Sequence, residues 1–66
     1  MEITLNGKVM QVAGQITVQT LIQTQGLPEK RIVVECNGEI IQAKNWNRVI
    51  IKAHDRLEIV TFVGGG

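Results

Sequence analysis

The first twelve residues alternate between apolar and polar side chains on either side of an Asn-Gly pair. Ile3 and Leu5 are flanked by polar residues, Asn6-Gly7 follows, and a second short run extends over residues 8–12. Alternation with a period of two is typical of a strand with one buried face, and Asn-Gly supplies both positive-φ positions of a type I′ turn. The pattern therefore predicts an N-terminal β-hairpin.

A helical pattern comes next. The stripe at positions i, i+3, i+4 and i+7 is formed by Val18, Leu21, Ile22 and Gln25. Thr17 is placed to act as the N-cap, Gly26 suits the left-handed position after the last turn, and Pro28 prevents continuation. Several residues of this segment are β-branched, so the short predicted helix must be stabilised by packing on a sheet.

The second half of the chain predicts three more strands and one irregular turn. The strands cover residues 31–36, 39–42 and 56–63, with a second Asn-Gly turn at 37–38 between the first two. The segment 43–48 contains the only tryptophan and is predicted to form an irregular or single helical turn. The order strand, strand, helix, strand, strand, strand predicts an α+β roll in which one main helix packs across one mixed sheet.

The last predicted strand carries apolar side chains on both of its faces. Leu57 and Ile59 share one face, whereas Glu58, Val60 and Phe62 share the other. If Glu58 faces water, Val60 and Phe62 do too, and they then form a partner-binding patch. The alternative is that a twist at the strand end, or the loop with the tryptophan, covers them.

Composition narrows the possible classes of protein. The chain has 66 residues, of which 44% are hydrophobic and 20% charged, with a net charge of +1. This predicts one folded domain over residues 1–63 and a flexible glycine tail at 64–66. The basic residues are scattered, which argues against nucleic acid and membrane partners. No leader or membrane-spanning run is evident and there is one cysteine, so we expect a cytoplasmic protein.

The side chains offer little catalytic chemistry. The chain has no serine, and its one cysteine and one histidine are too few for a metal site. Cys36 lies in a β-branched strand and is interpreted as a structural residue, and His54 as a solvated turn residue. Asp55 and Glu58 are interpreted as solvated charges. We therefore predict no catalytic residue and no metal ligand.

The glycines at the end of the sequence are a different kind of candidate. A glycine-rich loop cradles phosphate when a helix follows it, and we expect no helix after Gly64-Gly65-Gly66. A glycine carboxylate has no β-carbon beside it, and glycine accepts backbone angles closed to other residues. Such a tail could enter a narrow cleft of another protein and be activated there. A frayed end is the alternative, and the residues alone leave both open.

Several segments together carry a family resemblance. They are the opening strand with Asn6-Gly7, residues 33–39 (VVECNGE), Trp46, residues 55–60 (DRLEIV) and residues 62–66 (FVGGG). With these segments the chain resembles the ubiquitin-like sulfur carriers, and it is similar to the sulfur carriers of thiamine biosynthesis in particular. The resemblance covers essentially the whole chain and implies the β-grasp form of the predicted roll.

The resemblance implies a protein cosubstrate and not an enzyme, with no cofactor bound to the chain itself. An adenylating enzyme would use ATP to activate Gly66, with Gly64 and Gly65 entering its active site and Val60 and Phe62 binding its surface. Sulfur that originates from a cysteine desulfurase would then convert Gly66 to a thiocarboxylate, and thiazole synthase would accept that sulfur. The alternatives are a sulfur carrier for molybdopterin synthesis, a ubiquitin-like protein modifier and a plain interaction domain.

Two positions depart from the family pattern. Gln42-Ala43 stands where the family commonly has Pro-Arg, and His54 stands where it has glycine before the turn aspartate. The first departure removes an arginine and any contact that it makes. Because histidine tolerates positive φ less well than glycine, the departure at His54 predicts a different turn conformation.

Overall fold

The structure, a computed structural model, describes residues 1–63 and has the predicted order of elements. The strands are β1 (Glu2–Leu5), β2 (Lys8–Gln11), β3 (Ile32–Cys36), β4 (Glu39–Ile41) and β5 (Arg56–Thr61), and the helix is α1 (Val18–Thr24). Short 3₁₀ turns cover Glu29–Arg31 and Ala43–Asn45. The α+β prediction of one helix on one mixed sheet is confirmed.

Both Asn-Gly pairs form the predicted turns. Asn6 and Gly7 have φ angles of 50° and 81°, and Asn37 and Gly38 have φ angles of 52° and 87°. Positive φ at both central positions defines the type I′ turn, whose twist matches that of the flanking strands. These turns set the antiparallel register of β1 with β2 and of β3 with β4.

The helix begins and ends where its caps were predicted. The Thr17 side chain accepts a hydrogen bond from the Thr20 N–H at 3.1 Å. Gly26 has a φ of 67°, and the N–H groups of Gly26 and Leu27 donate to carbonyls of the last turn at 3.1 and 3.2 Å. This is a Schellman ending, which satisfies carbonyls that the helix itself leaves without donors.

The strand that leads to the C-terminus lies in the middle of the sheet. The strand order is β2-β1-β5-β3-β4. β5 pairs in parallel with β1, where Thr4 lies opposite Arg56 and Leu5 opposite Leu57, and antiparallel with β3. Because β1 and β5 run in the same direction, the end of β5 emerges beside the turn that joins β1 to β2.

The hydrophobic core lies between the sheet and α1. Its buried members are Ile3, Val18, Leu21, Ile22, Ile32, Val34, Trp46, Ile51, Leu57 and Ile59. Trp46 is only 4% exposed, and its Nε1–H donates to the carbonyl of Ile41 at 2.9 Å. Since Trp46 is packed in this core, the alternative in which its loop covers Val60 and Phe62 is wrong.

The last strand ends earlier than predicted. β5 ends at Thr61 and not at Val63, although the Phe62 N–H still donates to the Arg31 carbonyl at 2.8 Å. The reason is its neighbour: the first residue of β3, Ile32, lies opposite Thr61, and a 3₁₀ turn precedes it. A strand cannot continue its ladder past the end of the strand that pairs with it.

The turn before β5 contradicts the expectation for His54. His54 has a φ of 69°, in the left-handed region, and its N–H donates to the Glu2 carbonyl at 2.6 Å. The expected avoidance of positive φ is therefore wrong. A residue with a β-carbon pays about 1–2 kcal/mol to adopt the left-handed conformation. The contacts on either side of His54 outweigh this cost.

Candidate functional site

The face of the sheet opposite α1 carries a group of exposed apolar side chains at the end of β5. Val33, Val60 and Phe62, here called the apolar patch, are 42%, 60% and 45% exposed. Val33 lies directly opposite Val60 in the register of β3 and β5, and Phe62 follows two positions later. The predicted exposure of Val60 and Phe62 is confirmed, and their role in binding a partner stays a prediction.

A row of acidic residues borders the apolar patch. Glu35 of β3 lies between Glu58 of β5 and Ile40 of β4, each directly opposite it in the register. Within residues 1–63 neither glutamate forms an ion pair with a basic side chain. Like charges that face each other across strands are unfavourable, so a cation from a partner would be favoured beside this row.

An asparagine side chain fixes the end of β5 against the first hairpin. The Ile59 N–H donates to Oδ1 of Asn6 at 2.7 Å, and Nδ2 of Asn6 donates to the Ile59 carbonyl at 3.1 Å. β1 has already ended at Leu5, so the side-chain amide takes the place of one further residue of that strand. The two bonds hold β5 in place directly before the apolar patch.

A second set of side-chain bonds fixes the start of β5. Asp55 accepts hydrogen bonds from the Lys52 N–H at 2.8 Å and from Nδ2 of Asn37 at 3.0 Å. Oδ1 of Asn37 in turn accepts from the Arg56 N–H at 3.0 Å. Asp55 was interpreted from the sequence as a solvated charge, and its position in a short polar turn was the one signal of this role, since aspartate often bonds to the backbone of its own turn.

The half-buried cysteine is not an activated nucleophile. Burial raises the pKa of the Cys36 thiol, and the negative charge of Asp55, together with a hydrogen bond to its carboxylate, raises it further. A thiol with a raised pKa stays protonated and reacts slowly.

Among the described residues the histidine and the carboxylates do not form a metal site. Nδ1 of His54 lies 3.9 Å from the Glu2 carboxylate. Within residues 1–63 no group of three His, Cys, Asp or Glu side chains could hold a metal ion.

The predicted reactive glycine tail, residues 64–66, here called the arm, follows the apolar patch directly in the sequence. Val63 is the last described residue and is highly exposed, while Gly64, Gly65 and Gly66 lie outside the described residues. The chain thus leaves the fold from the central strand of the sheet, next to exposed apolar side chains. No helix in the part of the chain described, residues 1–63, is long and apolar enough to span a membrane.

The sequence is similar to one protein family and to several known proteins. The sequence model of the ThiS family matches residues 3–66. The sulfur carrier protein ThiS of Bacillus subtilis is 42% identical over 50 residues, which are 76% of each chain. A thiazole synthase of Paramagnetospirillum magneticum is 33% identical over all 66 residues, and the chain spans 20% of the length of that protein.

The fold also matches that of a solved structure. The crystal structure of the thiamine biosynthesis protein ThiS from Geobacter metallireducens superposes with a TM-score of 0.87 at 30% identity, and the match covers 100% of both chains. This agreement confirms the predicted β-grasp fold. With a family match over nearly its full length and a matching fold, the chain belongs to the ThiS family of sulfur carriers.

Proposed function

We propose that the chain carries sulfur for thiazole formation in thiamine biosynthesis, with the α-carboxylate of Gly66 as the reacting group. An adenylating enzyme first joins this carboxylate to AMP from ATP and releases pyrophosphate. The outer sulfur of a persulfide, formed by a cysteine desulfurase, then attacks the acyl carbon and displaces AMP, which gives an acyl disulfide. A thiol of the donor system reduces this sulfur–sulfur bond, is itself oxidised to a disulfide, and leaves the thiocarboxylate on Gly66. Thiazole synthase accepts the sulfur and returns the carboxylate. In this scheme the chain is a protein substrate and not an enzyme.

The observation that carries this proposal is the exposed apolar patch at the end of β5, directly before the three glycines, in a ThiS-family chain. Three extended residues reach about 10 Å at ~3.3–3.6 Å each. That is enough for Gly64 and Gly65 to place the last carbonyl inside a partner while the folded body stays outside.

The apolar patch and the acidic row suit a partner surface that is both apolar and basic. Val60 and Phe62 offer exposed apolar area to bury, and Glu35 and Glu58 offer two carboxylates without a basic partner among residues 1–63. Complementary charge speeds association and selects the partner, while buried apolar area supplies affinity. Because the glycines have no side chains, recognition by side chains falls to the folded body, and this face is the part of the body that adjoins the glycines.

Two thiazole synthases support the choice of the sulfur acceptor. Proteins of that name from Paramagnetospirillum magneticum and Magnetococcus marinus contain a region similar to all 66 residues of this chain, at 33% and 29% identity. A carrier-like region and a protein named thiazole synthase therefore occur in one polypeptide. This association favours thiazole synthase over other acceptors as the partner of the free chain.

The half-buried thiol has no part in the scheme. An acyl adenylate is open to attack by any thiolate nearby, and the raised pKa of Cys36 keeps that thiol protonated near neutral pH. The scheme takes the sulfur for Gly66 from the donor protein and assigns no role to Cys36.

The test is the intact mass after incubation with ATP, an adenylating enzyme of thiamine biosynthesis and a persulfide donor. We expect a gain that corresponds to one oxygen replaced by sulfur, located in the C-terminal peptide. Deletion of Gly66 should abolish it. Phe62→Asp should weaken it strongly, whereas Val9→Asp, at a residue 64% exposed on the distant strand β2, should leave it unchanged. An unchanged mass with a competent enzyme would refute the proposal.

A further inference from the structure

Successive residues of β5 direct their backbone groups to opposite sides of the strand. Arg56 and Phe62 bond towards β3: the Arg56 carbonyl accepts from the Asn37 N–H at 2.8 Å, and the Phe62 N–H donates to the Arg31 carbonyl at 2.8 Å. The even-numbered residues between them belong to the same series, because backbone groups alternate along a strand. One edge of β5 is therefore paired from its start to Phe62.

The odd-numbered residues of β5 bond towards β1. The Leu57 carbonyl accepts from the Asn6 N–H at 2.8 Å, and both backbone groups of Ile59 bond to the Asn6 side chain. Thr61 is the next residue in this series. Its N–H and C=O groups therefore point to the side on which β1 lies.

There is no strand beside Thr61 on that side. β1 ends at Leu5, and the turn at Asn6-Gly7 leads the chain back into β2. Within residues 1–63 neither a backbone group nor a side chain bonds to the Thr61 N–H or C=O. Among the described residues the pairing of β5 with the first hairpin thus stops at Ile59, and the edge is open at Thr61, next to the apolar patch.

We propose that the adenylating enzyme adds an extended backbone segment to this open edge and hydrogen-bonds to the main chain of Thr61. The inference rests on the proposed function. An enzyme that acts on the Gly66 carboxylate must reach to within about 10 Å of Val63, the length of three extended residues. Part of its surface therefore lies near the last residues before the arm, where the Thr61 N–H and C=O have no partner among residues 1–63 and are available to an added strand.

Strand addition also explains how the edge and the apolar patch act together. An added strand gains affinity from main-chain bonds, and pockets for alternate side chains supply specificity. Val60 and Phe62 precede and follow Thr61 and point to the open face of the sheet. A partner that bonds to Thr61 is therefore positioned to receive both side chains.

Amide hydrogen exchange of the unmodified chain tests the inference. Exchange is measured on the free chain and on the chain saturated with the adenylating enzyme, then quenched and read residue by residue. We expect the Thr61 amide to exchange about tenfold more slowly, or slower still, in the complex, since a bonded amide is protected. Val60, whose amide already bonds to β3, is the internal control and should change much less.

A pair of variants gives an independent readout. Thr61→Pro removes the N–H, to which no group within residues 1–63 bonds, and Thr61→Ala keeps it. With folding checked by the fluorescence of Trp46, we expect Thr61→Pro to weaken binding to the adenylating enzyme by about 2- to 12-fold, the range for one hydrogen bond, and Thr61→Ala to bind normally. If Thr61→Pro does not fold, the exchange experiment alone decides.

The outcomes separate the inference from the function on which it rests. If the chain is adenylated but Thr61 exchanges equally fast in the complex, the strand addition is refuted and the carrier function stands. Protection of Thr61 that appears in the chain alone and rises with its concentration would show a second copy at this edge, and would also refute it. A chain that is not adenylated at all refutes both.

Discussion

Removal of the Asn6 side chain should destabilise the protein through a contact far from it in sequence. Asn6 and Ile59 are 53 positions apart, and two partly buried hydrogen bonds join them. Asn6→Gly deletes both bonds and keeps a residue that accepts the φ of 50°. The variant therefore isolates the bonds from the conformational preference of the turn.

The magnitude follows from the two bonds. Each intramolecular hydrogen bond contributes about 0.5–1.5 kcal/mol net, so the pair predicts a loss of about 1–3 kcal/mol. A domain of this length has a free energy of unfolding of roughly 3–10 kcal/mol, at about 0.05–0.15 kcal/mol per residue. The loss is thus a large fraction of the total, and the midpoint of thermal unfolding should fall by about 4–8 °C for each kcal/mol.

Urea unfolding followed by Trp46 fluorescence measures the change, and Asn37→Gly is the matched control. Asn37 occupies the same turn position with a φ of 52°, and its side chain also makes two hydrogen bonds, but these are solvent-exposed. We expect Asn6→Gly to lose more stability than Asn37→Gly. A loss below about 0.5 kcal/mol, less than one ordinary bond, or one smaller than that of the control, would show that the Asn6 bonds do not hold β5.

Two further predictions concern the turn before β5 and the cysteine. His54→Gly should raise the free energy of unfolding by up to about 1 kcal/mol, because glycine removes the cost of a φ of 69°. The control Ala53→Gly relieves no positive φ and should lower the free energy of unfolding. Urea midpoints that rank Ala53→Gly above His54→Gly would contradict the prediction. For Cys36, the raised pKa in the folded state means that its contribution to stability is complete below the ordinary value of 9.0 and is lost as pH rises through the folded pKa. Urea unfolding at pH values from 9.0 upward should therefore show a fall in stability that Cys36→Ala reduces, and equal slopes for both proteins would refute the assignment.

The features that could be predicted from the sequence are local ones. Each Asn-Gly pair specifies its turn within two residues, and Thr17 and Gly26 specify the ends of α1 within one turn of the helix. The exposure of Val60 follows from strict alternation with buried Ile59. In each case the residues that decide the structure are adjacent to the structure that they decide.

The features that could not be predicted depend on distant parts of the chain. The end of β5 at Thr61 is set by where β3 begins, and the bonds from Asn6 to Ile59 require the parallel register of β1 with β5. His54 adopts positive φ because its N–H bonds to Glu2 at the other end of the sequence. Local preference is a weak guide wherever tertiary contacts decide the outcome.

The separation of the core from the open face gives a reason for an apolar surface on so small a protein. The core residues lie on the helix side of the sheet, so changes on the other face leave them in place. Val60 and Phe62 lie outside this core and are 60% and 45% exposed, so both are available to a partner. If Gly66 is the reacting group, the enzyme that adds sulfur and the enzyme that accepts it both need an arm of about 10 Å that starts beside the same patch. Such an arm is too short to enter two active sites at once, so the two enzymes must bind the carrier in turn, and each must release this face before the other can use it.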